Sequence, residues 1–227
     1  MTDNRADTIA LRQHNTIIVT GIAIAFLCAP IMGAILLSKS MGDVTLMFSS
    51  RLIIWSVLPM LYLYATKIED RRFFLWKEQF YSWWFYPASI LLLYVLLFIV
   101  AGNFARIPSL FGYHDDYTIL MHWNALLKKN TLLLVFVCVT AGITEEIIFR
   151  GYLLPRLSLL FKGKYTAVIL SSLMFSMIHF SYKNLSEYIF TFFFGLICGV
   201  YYQKYRAITP LIYTHFLYDL SVMLMHK

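Results

Sequence analysis

The stretch TLLLVFVCVTAGITEEIIFRGYLLPRL, residues 131–157, decides the fold. Residues 131–144 carry no charge, and then Glu145, Glu146 and Arg150 arrive while the surroundings stay apolar. About 20 apolar residues in a helix cover the hydrocarbon core of a bilayer. A segment of this length and character therefore reads as a membrane-crossing helix. A charge at the bilayer centre costs about 2.5–3.5 kcal/mol on insertion scales. The three ionisable groups must therefore meet other polar groups inside the protein rather than lipid.

Working outward, the whole chain has the same solvent preference. It has 227 residues, 60% hydrophobic and 14% charged, whereas a soluble domain is about half apolar and about a quarter charged. The composition predicts an integral membrane protein. One transmembrane domain, residues 16–227, follows a polar tail, 1–15. The apolar run after the tail is long and has no small-residue cleavage site, so it reads as an uncleaved first span. The formal charge of +7 sits between apolar runs, which is the pattern of loops against an anionic leaflet; no nucleic acid partner is expected. Cys28, Cys138 and Cys198 lie in apolar stretches without metal-ligand or disulfide spacing. They read as packing thiols.

The expected fold is all-α, a polytopic bundle of about seven transmembrane helices near 16–38, 46–66, 80–102, 131–153, 165–182, 187–203 and 207–225. Pro30 kinks the first, Arg51 snorkels near one end of the second, and Trp83, Trp84 and Tyr86 form an interfacial belt on the third. Residues 103–130 read as a loop with room for an amphipathic helix; a crossing there would make eight. The loop charges set the orientation. Eleven Lys and Arg, Arg71, Arg72, Arg156 and Lys204 among them, share the side of the N-terminus, against seven, including Lys39, Lys128 and Lys227, on the other. The expected location is a prokaryotic cell membrane with the N-terminus cytoplasmic. The pattern GLICG, 195–199, reads as a close helix contact within the molecule.

Two further spans carry ionisable groups at depth: His179 in the fifth, and His215 with Asp219 in the seventh. Left facing lipid, such a set would be prohibitive, so the groups must share one interior. Glu146 and Arg150 are four apart with the acid first, a favourable pair on one face. Glu145 is turned about 100° from Glu146. His215 and Asp219 are also four apart, as are Phe175 and His179. A carboxylate beside an imidazole can bind and deprotonate water, and a second imidazole with an Asp can stabilise an oxyanion. Alternatively Glu145, His179, His215 and Asp219 can ligate zinc or another divalent metal, which acidifies the water itself. Either route hydrolyses an amide. The plainer readings are a structural Glu146–Arg150 pair, packing histidines and an interhelical Asp219 hydrogen bond. Two other function classes fit buried carboxylates and histidines: a proton-coupled transporter and a non-catalytic bacteriocin-immunity or membrane binding protein.

EEIIFR (145–150), FSMIH (175–179) and HFLYD (215–219) resemble, in order, the motifs Glu-Glu-x-x-x-Arg, Phe-x-x-x-His and His-x-x-x-Asn/Asp of the CAAX-protease and bacteriocin-processing (CPBP, Abi) family of intramembrane metalloproteases. The resemblance spans about 131–225. It implies peptide-bond hydrolysis, with Glu145 and His179 activating water, His215 and Asp219 binding metal or stabilising the oxyanion, and Glu146 with Arg150 as an orienting pair. It implies a peptide or protein substrate, prenylated or a peptide precursor, reached from membrane lipid. Asp219 stands where the family often has Asn; the added charge favours metal binding over a purely organic oxyanion hole, unless Asp219 is protonated. His-Glu-x-x-His, Gly-x-Ser-x-Gly and Gly-x-Gly-Asp are all lacking. One difficulty follows from the span boundaries. Glu145 and His215 lie about eight residues from the inner face, ~12 Å, but His179 lies about fifteen, ~22 Å. Straight, equal helices would keep them apart.

Overall fold

A computed structural model describes residues 3–37, 41–163 and 165–225. Lys39, Lys164 and Lys227, counted above, lie outside them. The regular secondary structure of the described residues is all helix, with no strand. Helix α1 is Asp3–Leu37, α2 Asp43–Lys67, α3 Phe85–Leu110, α4 Thr118–Lys128, α5 Thr131–Leu160, α6 Thr166–Met177, α7 Leu185–Tyr205 and α8 Thr209–Met225. Five of these, within α1 and in α2, α3, α5 and α7, are long and apolar enough to cross a membrane. At 12 and 17 residues, α6 and α8 are shorter. The predicted spans all fall on helices, and the chain between the third and fourth forms the short α4.

Helix α1 continues back to Asp3, so the polar tail belongs to the same helix as the first span. Helix α3 starts at Phe85 rather than near residue 80. Trp83 and Trp84 precede it, exposed and stacked on each other with centroids 3.7 Å apart, as an interfacial pair should be.

Helix α5 is the axis of the molecule, and two thirds of its apolar core is buried inside the protein. Its middle is not regular: π-helical turns occupy Ala141–Glu145 and Ile147–Leu153. Such i→i+5 turns are rare and gather at functional sites. Helices α6 and α7 form the tightest pair. Gly195 lies against Ser172 and Gly199 against Val168, so the small residues of GLICG do serve an internal contact.

The end of α5 resolves the depth difficulty. The helix runs to Leu160, seven residues past the expected boundary. Glu145 therefore lies fifteen residues from that end, ~22 Å, and His179 thirteen residues from Thr166, ~20 Å. Helix α8 starts further in: Ile208 packs at Gly151, nine residues before Leu160. The turn ahead of α8 is held there by residues 78–79, where Ile208 N–H donates to Glu78 Oε1 (2.7 Å) and Gln79 N–H to the Arg206 carbonyl (3.0 Å).

Arg156 is not the loop cation that the charge count assumed. It is fully buried in α5. Its Nε and Nη2 donate to both oxygens of Glu69, Nη1 donates to the carbonyls of Phe73 and Tyr152, and the guanidinium lies 3.5 Å over the Tyr152 ring. The Tyr152 hydroxyl also donates to Glu69, at 2.8 Å.

Candidate active site

The π-turns of α5 carry Glu145, Glu146 and Arg150 into the protein interior, all three buried. Arg150 Nη1 donates to Glu146 Oε1 at 3.0 Å, as the four-residue spacing predicts. The same oxygen accepts from His215 Nδ1 at 2.9 Å. Glu146 thus joins α5 to α8. Phe175 and Phe194 close the apolar side of the pair, with the Arg150 guanidinium 4.5 and 5.6 Å from their ring centroids. That placement combines a cation–π contact with exclusion of water.

Because His215 Nδ1 is committed to Glu146, its Nε2 points the other way. There it faces two carboxylates, Asp219 Oδ2 at 3.5 Å and Glu145 Oε2 at 3.9 Å. Glu145 Oε2 is buried and has no hydrogen-bond partner among the described residues. Glu145, His215 and Asp219 therefore meet around one small polar space.

His179 lies beside this space rather than in it. It follows the last turn of α6, and its Nδ1 is 2.9 Å from the Phe175 carbonyl. A carbonyl only accepts, so Nδ1 carries the proton and a neutral ring keeps its lone pair on Nε2. The ring is 5.1 Å from Phe175, which in turn is 6.1 Å from His215. No hydrogen bond or ion pair joins His179 to Glu145 or His215 among the described residues. Its next neighbours are the Tyr182 ring at 5.9 Å and Glu187.

Residues 127–221 match the family model described as type II CAAX prenyl endopeptidase Rce1-like. The matched segment, 95 of the 227 residues, is similar to that family's domain. The three motifs all lie within the match, which is consistent with the family that they resemble. No curated protein and no solved structure matches the chain.

Three polar residues around this site escaped the motif reading. Tyr182 lies within reach of the charges of Glu145, Glu187 and Asp219. Glu187 sits in the first turn of α7, which Asn184 caps through the Glu187 N–H at 2.9 Å. Arg51 of α2, outside the match, acts on both Tyr182 and Asp219. The one sequence signal for Arg51 was a lone cation inside an uncharged run, 44–66, and it was read as a snorkelling end residue. In the structure it lies eight residues into α2, ~12 Å from the helix start, and is only partly exposed.

The metal alternative can be tested on the donors themselves. His215 brings one free nitrogen to Glu145 and Asp219, and His179 does not join them. Among the described residues no group of three or more His, Cys, Asp or Glu side chains is arranged to hold an ion. The donor set as placed does not fit a divalent metal, and the chemistry below runs on the protein's own groups.

Proposed function

We propose that this chain is an intramembrane endopeptidase that cleaves a prenylated or otherwise membrane-held peptide with water activated by Glu145 and His179. The single observation behind the reading is the convergence on one buried space of Glu145, whose Oε2 lacks a protein partner, with the free nitrogen of His215 and with Asp219. The Rce1-like match gives endopeptidase activity at family level.

Water between Glu145 and His179 gives one proton to the Glu145 carboxylate and a hydrogen bond to His179 Nε2. Its oxygen attacks the scissile carbonyl, and the new oxyanion lies towards His215 Nε2, which donates to it from an imidazolium ring protonated at both nitrogens between Glu146 and Asp219. Glu146 fixes the His215 ring through Nδ1, and Asp219 aligns Nε2. Collapse of the tetrahedral intermediate breaks the C–N bond, and protonated Glu145 returns its proton to the leaving nitrogen. Arg150 holds Glu146 in place and stays off the substrate. In this reading the helices make seven crossings, with α6 and α8 completing the bundle and the N-terminus in the cytoplasm of a prokaryotic cell.

The test is hydrolysis of a fluorogenic peptide ending in farnesyl-cysteine and three further residues, by purified full-length protein in vesicles. Glu145→Gln keeps shape and removes the base, so kcat should fall by about 10²–10⁴ with the thermal midpoint unchanged. Equal turnover by wild type and Glu145→Gln would refute the proposal. A chelator should leave the rate intact; loss of activity restored by zinc would instead return the four donors to a metal.

A further inference from the structure

Arg51 makes no ion pair among the described residues, and Asp219, the site carboxylate on which its charge acts, lies beyond contact distance. Its Nη2 reaches only the Met47 thioether, 3.6 Å away, and a sulfur is a weak acceptor. Its Nε is buried and has no partner. No described carboxylate lies within ion-pair distance of it. Arg150, the other arginine of this region, is already neutralised by Glu146. A guanidinium at membrane depth with donors unfilled is a site for a planar two-oxygen anion, a carboxylate above all.

The neighbours of Arg51 place it relative to the chemistry. Helices α2 and α5 run parallel: Phe48 meets Phe136, with centroids 5.2 Å apart, and Trp55 Nε1 donates to Thr140 Oγ1 at 3.0 Å. Arg51 falls between these contacts, level with Cys138, which is within reach of its charge. Cys138 precedes Glu145 by seven residues, ~10 Å along the helix. An extended peptide rises ~3.3 Å per residue. A peptide whose scissile carbonyl sits at the Glu145 water and whose end lies at Arg51 therefore has about three residues beyond the cleaved bond. A lipid phosphate offers similar oxygens, but it belongs at the headgroup level, and Arg51 lies ~12 Å down its helix.

We propose that Arg51 binds the free C-terminal carboxylate of the substrate and so sets where the chain is cut. This rests on the endopeptidase reading above and adds to it a residue that selects chain ends. A substrate with an amidated terminus lacks the anion and leaves Arg51 unpaired, a loss seen in KM more than in kcat.

The experiment compares two farnesyl-cysteine peptides, identical except for a C-terminal acid or amide, with reconstituted full-length protein. Wild type should prefer the acid by at least ten-fold in kcat/KM and release a fragment of about three residues. In Arg51→Gln the acid-over-amide ratio should collapse towards one through a raised KM, and Arg51→Lys should recover part of it. Equal use of both peptides by wild type overturns the proposal, as does a ratio unchanged in Arg51→Gln. Binding of the same labelled peptides, followed by fluorescence anisotropy, repeats the comparison without hydrolysis. An acid preference in binding that depends on Arg51, with no cleavage, supports this assignment and removes the endopeptidase reading. Cleavage without that preference does the reverse. A response of Arg51 to phosphatidylglycerol content in the vesicles, with acid and amide equivalent, gives the cation to a headgroup and overturns the proposal.

Discussion

Glu146 Oε1 accepts from Arg150 and His215 at once, so one buried oxygen fixes an ion pair and an imidazole tautomer together. Removing one partner of a buried pair costs about 3–5 kcal/mol, because the other charge is left unpaired. Glu146→Ala should therefore lower the thermal midpoint in detergent and abolish cleavage. Glu145→Gln, which strands no partner, should affect cleavage alone; equal destabilisation by the two would contradict this division. Half of the Glu146 arrangement was legible in the sequence, since Glu146 and Arg150 share a helix and their spacing puts them on one face. The His215 contact was not, because it crosses 69 residues and depends on how far α8 is set in. Arg156 shows the opposite failure. Its place after an apolar run looked like a loop, and its true partner, Glu69, is 87 residues away.

At the scale of the element, α5 is where local rules and the fold part company. A regular turn holds 3.6 residues, and the expected rotation between Glu145 and Glu146 was drawn from it. The i→i+5 turns from Ala141 to Leu153 hold more residues per turn and alter the angles at which the site residues leave the helix. Nothing in composition or spacing announces them. Gly142 shows what this stretch needs from its neighbour. A Cβ there would meet the Ile212 carbonyl at 2.9 Å and the Phe216 nitrogen at 3.1 Å. Both are backbone atoms and cannot turn aside. Gly142→Val should push α8 away from α5, lower stability by about 1–3 kcal/mol and reduce kcat by moving His215 off Glu146. A valine variant with unchanged kcat would show that the α5–α8 contact is not needed for turnover.

Taken whole, the molecule has two buried polar centres among its described residues, and the sequence disclosed one. The motif residues of α5, α6 and α8 read as a single site because their chemistry was costly in lipid. The second centre joins Glu69, Tyr152 and Arg156 to the carbonyls of Arg72 and Phe73. Close by, the Tyr64 hydroxyl ties α2 to the Ile17 carbonyl of α1. This centre fastens the first two helices to α5, ten residues along from Glu146. Glu69→Ala should cost about 3–5 kcal/mol yet leave KM unchanged at temperatures where the protein stays folded. A raised KM at low temperature would mean that the two centres are coupled. The helices themselves were legible because apolar runs at membrane length announce them; the lengths of α5 and α6 were not, since runs of similar hydrophobicity end where neighbours end them.

The brevity of α6 matters for turnover. Twelve residues rise ~18 Å, well short of a hydrocarbon core of about 30 Å. His179 and the irregular residues up to Asn184 come directly after it, and Asp115 meets the start of α7 with hydrogen bonds from Leu185 N–H, Ser186 N–H and the Ser186 hydroxyl. Backbone of that kind is tolerated at depth only beside protein or solvent. A hydrolase consumes its second reactant at every cycle and must be replenished through an oily phase that carries almost none. If the proposed hydrolysis holds, the break in the helix beside His179 is the place where solvent would be supplied without parting the bundle.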